Sequence, residues 1–290
     1  AFELSPVTRD QARSAAASWL KARADLWPGA ESPSIEGVRN IGSNNIEIGY
    51  GVAYLPDGGV LATGMCRSTT FFGMGAEGEV TLTSRGMSDA YLVRYNPDGS
   101  VAWVAQGGGL GDDYSRGLEV GPDGSCAIVG YFQSEATFGE GDGSVTRQAE
   151  GSDDIFVARY HPDGTLAWAR SAGGVSHDEG LGLHLSSRGE VLVTGLFQQD
   201  GVFGPGEAGE TVLTAIGSYD LFLASLDDLT GELRWVVQGG GRDIDQGEGV
   251  VQLPDGTLWV VGFFALQARF SPGPDGIILQ SAGEIGRAHV

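Results

Sequence analysis

Three tryptophans in register, four phenylalanines at a constant offset and five Pro-Asp-Gly turns predict an all-β fold. The predicted architecture is a β-propeller of four-stranded antiparallel blades, incomplete at about three and a half blades, with a helix ahead of it. Trp103, Trp168 and Trp235 stand 65 and 67 residues apart. Each closes a run of one kind: Asp89-Ala-Tyr-Leu-Val-Arg-Tyr-Asn-Pro-Asp-Gly-Ser-Val-Ala-Trp103, then Asp154-Ile-Phe-Val-Ala-Arg-Tyr-His-Pro-Asp-Gly-Thr-Leu-Ala-Trp168. A third copy, one residue longer at the turn, runs from Asp220 to Trp235. Strands starting at Gly51, Gly117, Gly182 and Gly249 are each followed by a second strand ending at Gly64, Gly130, Gly195 or Gly262. Eight residues beyond each of those stands Phe72, Phe138, Phe203 or Phe270.

The elements follow in order. Residues 1–35 form a charge-neutral helical segment or linker: Thr8-Arg9-Asp10-Gln11 reads as a capping box. Ala12, Ala15, Ala16, Trp19, Ala22 and Leu26 then recur at helical steps, and Pro28-Gly29 stops them. The partial propeller occupies 36–283. Residues 34–43 read as a lone last strand, and blades follow at about 45–106, 111–171, 176–238 and, incomplete, 243–283. In the first full copy the strands fall near 49–56, 59–66, 89–96 and 100–106, with the alternation Tyr91-Leu-Val-Arg-Tyr95 as an example. Pro56-Asp57-Gly58, Pro97-Asp98-Gly99, Pro122-Asp123-Gly124, Pro162-Asp163-Gly164 and Pro254-Asp255-Gly256 sit between strand pairs. Proline presets φ at the first turn position and glycine takes the left-handed one, so these are tight hairpins. Between second and third strands an extra apolar run, such as Val80-Thr-Leu-Thr83 or Thr211-Val-Leu-Thr214, reads as a side hairpin.

Composition excludes several classes of function. The chain has 290 residues, 49 of them glycine, and 38 acids against 17 bases, for a net charge of −21. With residues 1–35 neutral, that charge lies in the blades. It opposes contact with nucleic acid and with anionic lipid, both of which require basic patches. No apolar run reaches the ~20 residues of a membrane span. Hydrophobic residues at 41% suffice for a packed core.

No established catalytic motif appears. Gly73-Met-Gly-Ala-Glu-Gly78 and Gly204-Pro-Gly-Glu-Ala-Gly209 match a dinucleotide-binding pattern, but each falls inside a β-connection and opens no helix, so these glycines serve turns. His161 takes a turn slot, His177 precedes Asp178 in a loop, His184 alternates within a strand, and His289 lies in the last residues. Cys66 and Cys126 occupy different slots of adjacent copies, which argues against a bond between them. Acids recur more suggestively. Glu47, Asp113, Asp178 and Asp245 each stand four residues before a first-strand glycine. They are candidates for a partial acidic ring at one mouth of the channel that would suit Ca²⁺, or else for carboxylates capping loops. Asp89, Asp154 and Asp220 precede the aromatic strand and read as structural hydrogen-bond acceptors that tie hairpins together.

The glycine-rich first strand, the run Gly151-Ser-Asp-Asp-Ile-Phe-Val-Ala-Arg-Tyr160 with its Pro-Asp-Gly turn, and the closing tryptophan resemble the bacterial seven-bladed β-propeller (SBBP-type) repeat family over residues 36–283. The resemblance implies an exported bacterial protein, extracellular or at the cell surface, and the repeat architecture, the absence of catalytic motifs and the acidic, lysine-poor surface point to a non-enzymatic binding or scaffolding module with a protein or glycan ligand and further blades in the full-length chain. The competing class is a propeller enzyme, polysaccharide-active for example, with its site in a channel mouth or another domain. Such a site would break the repeat symmetry with a cluster of His, acid and aromatic residues. The chain opens without Met and without a signal-peptide profile, as expected of an internal cut or a mature terminus. Glu284-Ile-Gly-Arg-Ala-His-Val290 departs from the repeat and looks like the translation of a short-read sequencing adapter, so a non-biological tail of metagenomic origin is expected there.

Overall fold

The computed structural model describes residues 41–42, 45–74 and 78–270, and the backbone of 277–289. The helix expected within 1–35 lies outside the described residues. Among those described, strands dominate and the one helical element is a single 3₁₀ turn at Gly141–Gly143. After β1 (Ile41–Gly42), the first blade comprises β2 (Glu47–Tyr54), β3 (Val60–Cys66), β6 (Asp89–Tyr95) and β7 (Val101–Gly109). The second comprises β8 (Tyr114–Val120), β9 (Cys126–Phe132), β12 (Asp154–Tyr160) and β13 (Leu166–Ala172). The third comprises β14 (Glu179–Ser186), β15 (Glu190–Phe197), β18 (Asp220–Asp227) and β19 (Leu233–Gly241). A partial fourth holds β20 (Asp245–Gln252), β21 (Leu258–Phe270) and β22 (Ile277–His289). Every pairing within the blades is antiparallel, and the first strands β2, β8, β14 and β20 lie against one another along the inner edge of the arc. They approach closely: a Cβ on Gly182 would sit 2.6 Å from the Glu248 carbonyl oxygen of the next blade.

The side hairpins are β4–β5 (Thr69–Phe72, Val80–Thr83), β10–β11 (Glu135–Phe138, Val145–Gln148) and β16–β17 (Asp200–Phe203, Thr211–Thr214). They do more than decorate their own blades. β10 pairs with the end of β7 in the preceding blade, matching Phe138 to Gly107. The end of β21 pairs with β19 in the same way, matching Phe270 to Gly239. Val202 bridges to Gly173 at the end of β13, and β1 pairs with β4, matching Ile41 to Phe72. Each recurring phenylalanine is therefore a latch between neighbouring blades. All four are buried.

The core accordingly lies between blades. One apolar cluster joins Leu61, Leu92, Phe132, Phe138 and Phe156 across the first junction, and another joins Val129, Val157, Val193, Phe203 and Phe222 across the second. The tryptophans fasten the outer edge. Trp103 Nε1 donates to the Pro162 carbonyl (3.1 Å) and Trp168 Nε1 to that of Asp228 (3.0 Å), both on the outer turn of the following blade. Gly164 in that turn has φ +87°, and a Cβ there would meet the Trp103 ring at 2.7 Å, so only glycine fits both the turn and the ring.

Two repeated devices carry little signal in composition. The register slips by one residue in every first strand, at Gly49/Gly51, Ser115/Gly117, Gly180/Gly182 and Gly247/Gly249, a β-bulge in each copy. The corner into each side hairpin is a non-glycine residue with positive φ: Ser68, Ser134, Gln199 and Leu266. In the fourth blade β21 runs through this corner unbroken, and β22 pairs with it from Ile277 to His289. Residues 284–289, set apart in the sequence from the repeat, thus continue a strand, and Ala288 pairs with Gly262 where the other blades place Tyr91, Phe156 and Phe222.

Candidate recognition site at the inner mouth

The acids singled out by their spacing each accept hydrogen bonds. Asp113, Asp178 and Asp245 are fully buried at the three blade junctions. Asp113 accepts from the Gly109 amide (2.8 Å) at the end of one blade and from the Gln133 amide (3.2 Å) in its own. Asp178 does the same with Gly174 (2.8 Å) and Gln198 (3.0 Å). Glu47 accepts from Thr70 Oγ1 at 3.3 Å. Asp89, Asp154 and Asp220 sit beside them. Asp89 accepts from the Arg85 amide (3.0 Å) and Gln106 Nε2 (2.8 Å), and Asp154 from the Glu150 and Gly151 amides. Among the described residues no group of three or more His, Cys, Asp or Glu side chains is placed to hold a metal ion.

The residues that do converge are ones the spacing did not mark. Each bulge turns one extra side chain out of the ladder of the innermost strand, and these side chains differ between copies: Tyr50, Arg116, Leu181 and Glu248. The Arg116 guanidinium lies over three tyrosine rings, 4.6 Å from the centroid of Tyr50, 5.5 Å from Tyr131 and 5.8 Å from Tyr114. Tyr114 and Tyr131 stack at 5.0 Å with 12° between their planes. The row continues through His177, 6.3 Å from Tyr131, to Tyr219, 5.8 Å further on. It therefore crosses from the first blade to the third at the end of the arc where the first strands begin. Tyr50 is 37% exposed and most of the other members are half-buried.

Polar groups bind this row into a network. Glu179 accepts from His177 Nε2 (3.1 Å) and stands 3.5 Å from Arg116 Nη2. Asp153 holds His177 Nδ1 and accepts from Gln133 Nε2 at 2.7 Å. Gln133 in turn accepts from the Asp112 amide (3.1 Å), and Asp112 pairs with Arg67 (3.1 Å) and Ser88 (2.7 Å). Asp153–His177 occupies the same inter-blade bridge as Ser88–Asp112 and Tyr219–Ile244. The frame repeats while its occupants change.

The geometry limits the chemistry. Hydrogen bonds to Asp153 and Glu179 raise the His177 imidazole to about 10, so near neutral pH both ring nitrogens carry protons and neither serves as a general base. Burial, with the Glu179 charge adding to it, raises the Tyr131 phenol well above its usual range. Cys66 and Cys126 are free and buried, and burial pushes both thiols up to about 12, far from the thiolate that nucleophilic chemistry needs. His161 is exposed at its turn, and His184 hydrogen-bonds Glu119 of the neighbouring blade at 3.0 Å. The first glycine-rich motif places Gly73 and Gly78 at positive φ, with 75–77 outside the described residues, and the second forms the β16–β17 turn.

Comparison with known proteins agrees with this architecture. A family model described as a domain of unknown function (DUF5122) β-propeller matches residues 141–166, from the turn of the second side hairpin into the start of β13. This is a β-propeller repeat chain. An uncharacterised WD repeat-containing protein of Acanthamoeba polyphaga mimivirus is 23% identical over 159 residues, 53% of this chain and 11% of that protein. The regulatory protein FlaEY of Caulobacter vibrioides is 26% identical over 141 residues, 49% of this chain and 14% of that protein. Each match thus spans a small fraction of the relative's own length.

Proposed function

We propose that the chain is a non-enzymatic β-propeller module of an exported bacterial protein, acting as a binding scaffold at the cell surface. Its recognition element is the mouth cluster of Tyr50, Tyr114, Arg116 and Tyr131. The observation that carries this reading is that these side chains occupy slots where the copies of the repeat differ, and there form one half-exposed surface. Tyrosine and arginine are enriched among residues that dominate protein–protein affinity, so a protein partner fits best. The net charge of −21 steers such an encounter toward partners bearing cationic groups. The regulatory name of one relative fits a binding role. The doubly paired His177 weighs against the enzyme class, because both of its ring nitrogens are protonated and donate to carboxylates.

The test immobilises the whole chain and a Tyr50→Ala/Arg116→Ala variant, and compares captured proteins and bound glycans on an array. A protein held by the original chain and lost by the variant supports the proposal. Equal capture by both places recognition elsewhere. Binding of a glycan but no protein replaces the partner class, and turnover of a polysaccharide overturns the non-enzymatic reading.

A further inference from the structure

The first three blades each keep one aromatic ring at the same place on the third strand. Tyr91, Phe156 and Phe222 pair across the ladder with the closing glycine of the second strand, Gly64, Gly130 and Gly195. Each ring packs on the latch phenylalanine of its own blade: Tyr91 on Phe72 at 5.2 Å, Phe156 on Phe138 at 4.7 Å and Phe222 on Phe203 at 5.0 Å. A Cβ on Gly130 or Gly195 would sit 3.0 Å from Cε1 of the paired ring, so the glycine makes room for it.

The fourth blade repeats this frame without the ring. Phe264 meets the latch Phe270 edge-on at 6.0 Å, as Phe132 meets Phe138 and Phe197 meets Phe203. The residue paired with Gly262 is Ala288, however, and β22 carries no Phe, Tyr or Trp. A cavity of about 100 Å³ lies at this junction, walled by Leu221, Leu223, Val237, Val260, Gly262 and Phe270. At the second junction the counterparts of these residues, among them Ile155, Val157, Val193 and Phe203, close around Phe222, and about 30 Å³ is left. Val260 and Gly262 are only half-buried, whereas Val193 and Gly195 are fully buried, and Val237 is 38% exposed, so the cavity opens to solvent on that side. Among the described residues no charged side chain lines it. Its two glutamines have engaged amides: Gln238 Nε2 donates to the Thr214 carbonyl (3.0 Å) and to Asp220 (3.2 Å), and Gln246 Nε2 to Glu248.

We propose that this cavity binds a free, uncharged, single-ring aromatic compound, which takes the place that Tyr91, Phe156 and Phe222 fill in the other blades. An apolar cavity of this order stays dry, and one of about 150 Å³ is known to take benzene. A ring seated here packs on Phe270 as Phe156 packs on Phe138, and the aliphatic side chains of Leu221, Leu223 and Val260 cover it. The lining offers no cation to pair with a carboxylate and no acid to pair with an amine, which sets the ligand's charge at zero. The ring arrives as a free molecule because the edge of β21 beside Gly262 is already paired with β22, which leaves no ladder for a partner's strand to join. Bound there, it touches both β18 and β21 and so fastens the fourth blade to the third.

The experiment titrates fluorobenzene into the whole chain, with ¹⁹F NMR and the thermal melt as readouts, alongside Val237→Phe and Ala288→Phe. The first variant puts bulk into the cavity wall, and the second supplies a ring from β22 at the register of Phe156. The expected result for the original chain is a saturable ¹⁹F response and a melting temperature raised by about 2–4 °C at about tenfold excess over Kd. Both responses should be lost in both variants, and Ala288→Phe should melt above the original chain without ligand. Benzoate, a ring of the same size with a charge, should give neither response. If neither variant folds, contacts from the bound ring to the methyl groups of Leu221, Leu223 and Val260, read as NOEs in the original chain, support the site, and contacts to other methyl groups alone overturn it. No saturable response up to the solubility of fluorobenzene also overturns it, as does a response that persists in both folded variants. An equal response to benzoate overturns the uncharged class. Binding of a synthetic peptide of residues 154–160 without binding of fluorobenzene overturns the free ligand, since the ring would then come on a strand.

Discussion

Phe138 offers the sharpest test of the inter-blade latch. Its ring is fully buried, packs 4.7 Å from the Phe156 ring and 6.3 Å edge-on from Phe132, and covers Gly107, where a Cβ would sit 2.5 Å from Cδ1. A buried phenylalanine removes about 150–250 Å² from water, worth roughly 4–6 kcal/mol at about 25 cal/mol/Å². With partial relaxation around the void, Phe138→Ala is expected to cost about 4 kcal/mol. Phe138→Leu keeps most of the volume and should cost clearly less. Val212→Ala serves as the control, since Val212 lies in the corresponding hairpin of the third blade but is 55% exposed; its change should stay within about 0.5 kcal/mol. Urea unfolding followed by circular dichroism and tryptophan fluorescence measures all three as midpoint shifts at constant slope. A Phe138→Ala loss no larger than that of Val212→Ala would refute the claim that stability resides between the blades.

Three further outcomes are expected. Gly164→Ala places a Cβ at φ +87° against the Trp103 ring, so it should cost about 1–2 kcal/mol or more and shift Trp103 emission; an unchanged melt and spectrum would count against the outer fastening. Asp153→Asn removes the main cause of the raised His177 imidazole, so its titration by NMR should move down from about 10 toward its ordinary value. The stabilisation His177 contributes is present in full below its ordinary pKa and lost as pH rises through about 10, and the variant should lose that dependence. Cys66 and Cys126 should resist a thiol reagent in the native chain and react only on unfolding; rapid native labelling of either would contradict their burial.

Much of the fold was legible because a propeller writes its geometry into spacing. The Trp, Phe and Pro-Asp-Gly positions recur with the blade, and local rules assign the turns. The side hairpins were legible as hairpins, but their pairing partners were not, because Phe138 and Gly107 belong to different copies and meet only when blades stack. The positive-φ corner left no mark because serine, glutamine and leucine hold it in place of glycine. The mouth cluster was hidden for the opposite reason. Repetition draws attention to recurring slots such as Asp113 and Asp178, whereas the cluster is built from Tyr50, Arg116 and Glu179, which stand in slots that differ from copy to copy. The four unlike residues at the bulges were the available signal.

The sequence by itself determined the blade, its turns and its acidic character, since each follows from short-range chemistry repeated along the chain. Only the tertiary structure decided what the recurring acids do. Spacing placed Asp220 and Asp245 in separate motifs, and the stacking of one blade on the next buried both. Whether a carboxylate caps a loop or rings a channel depends on what lies within a few ångströms of its oxygens, and that is set by how one blade stacks on the next.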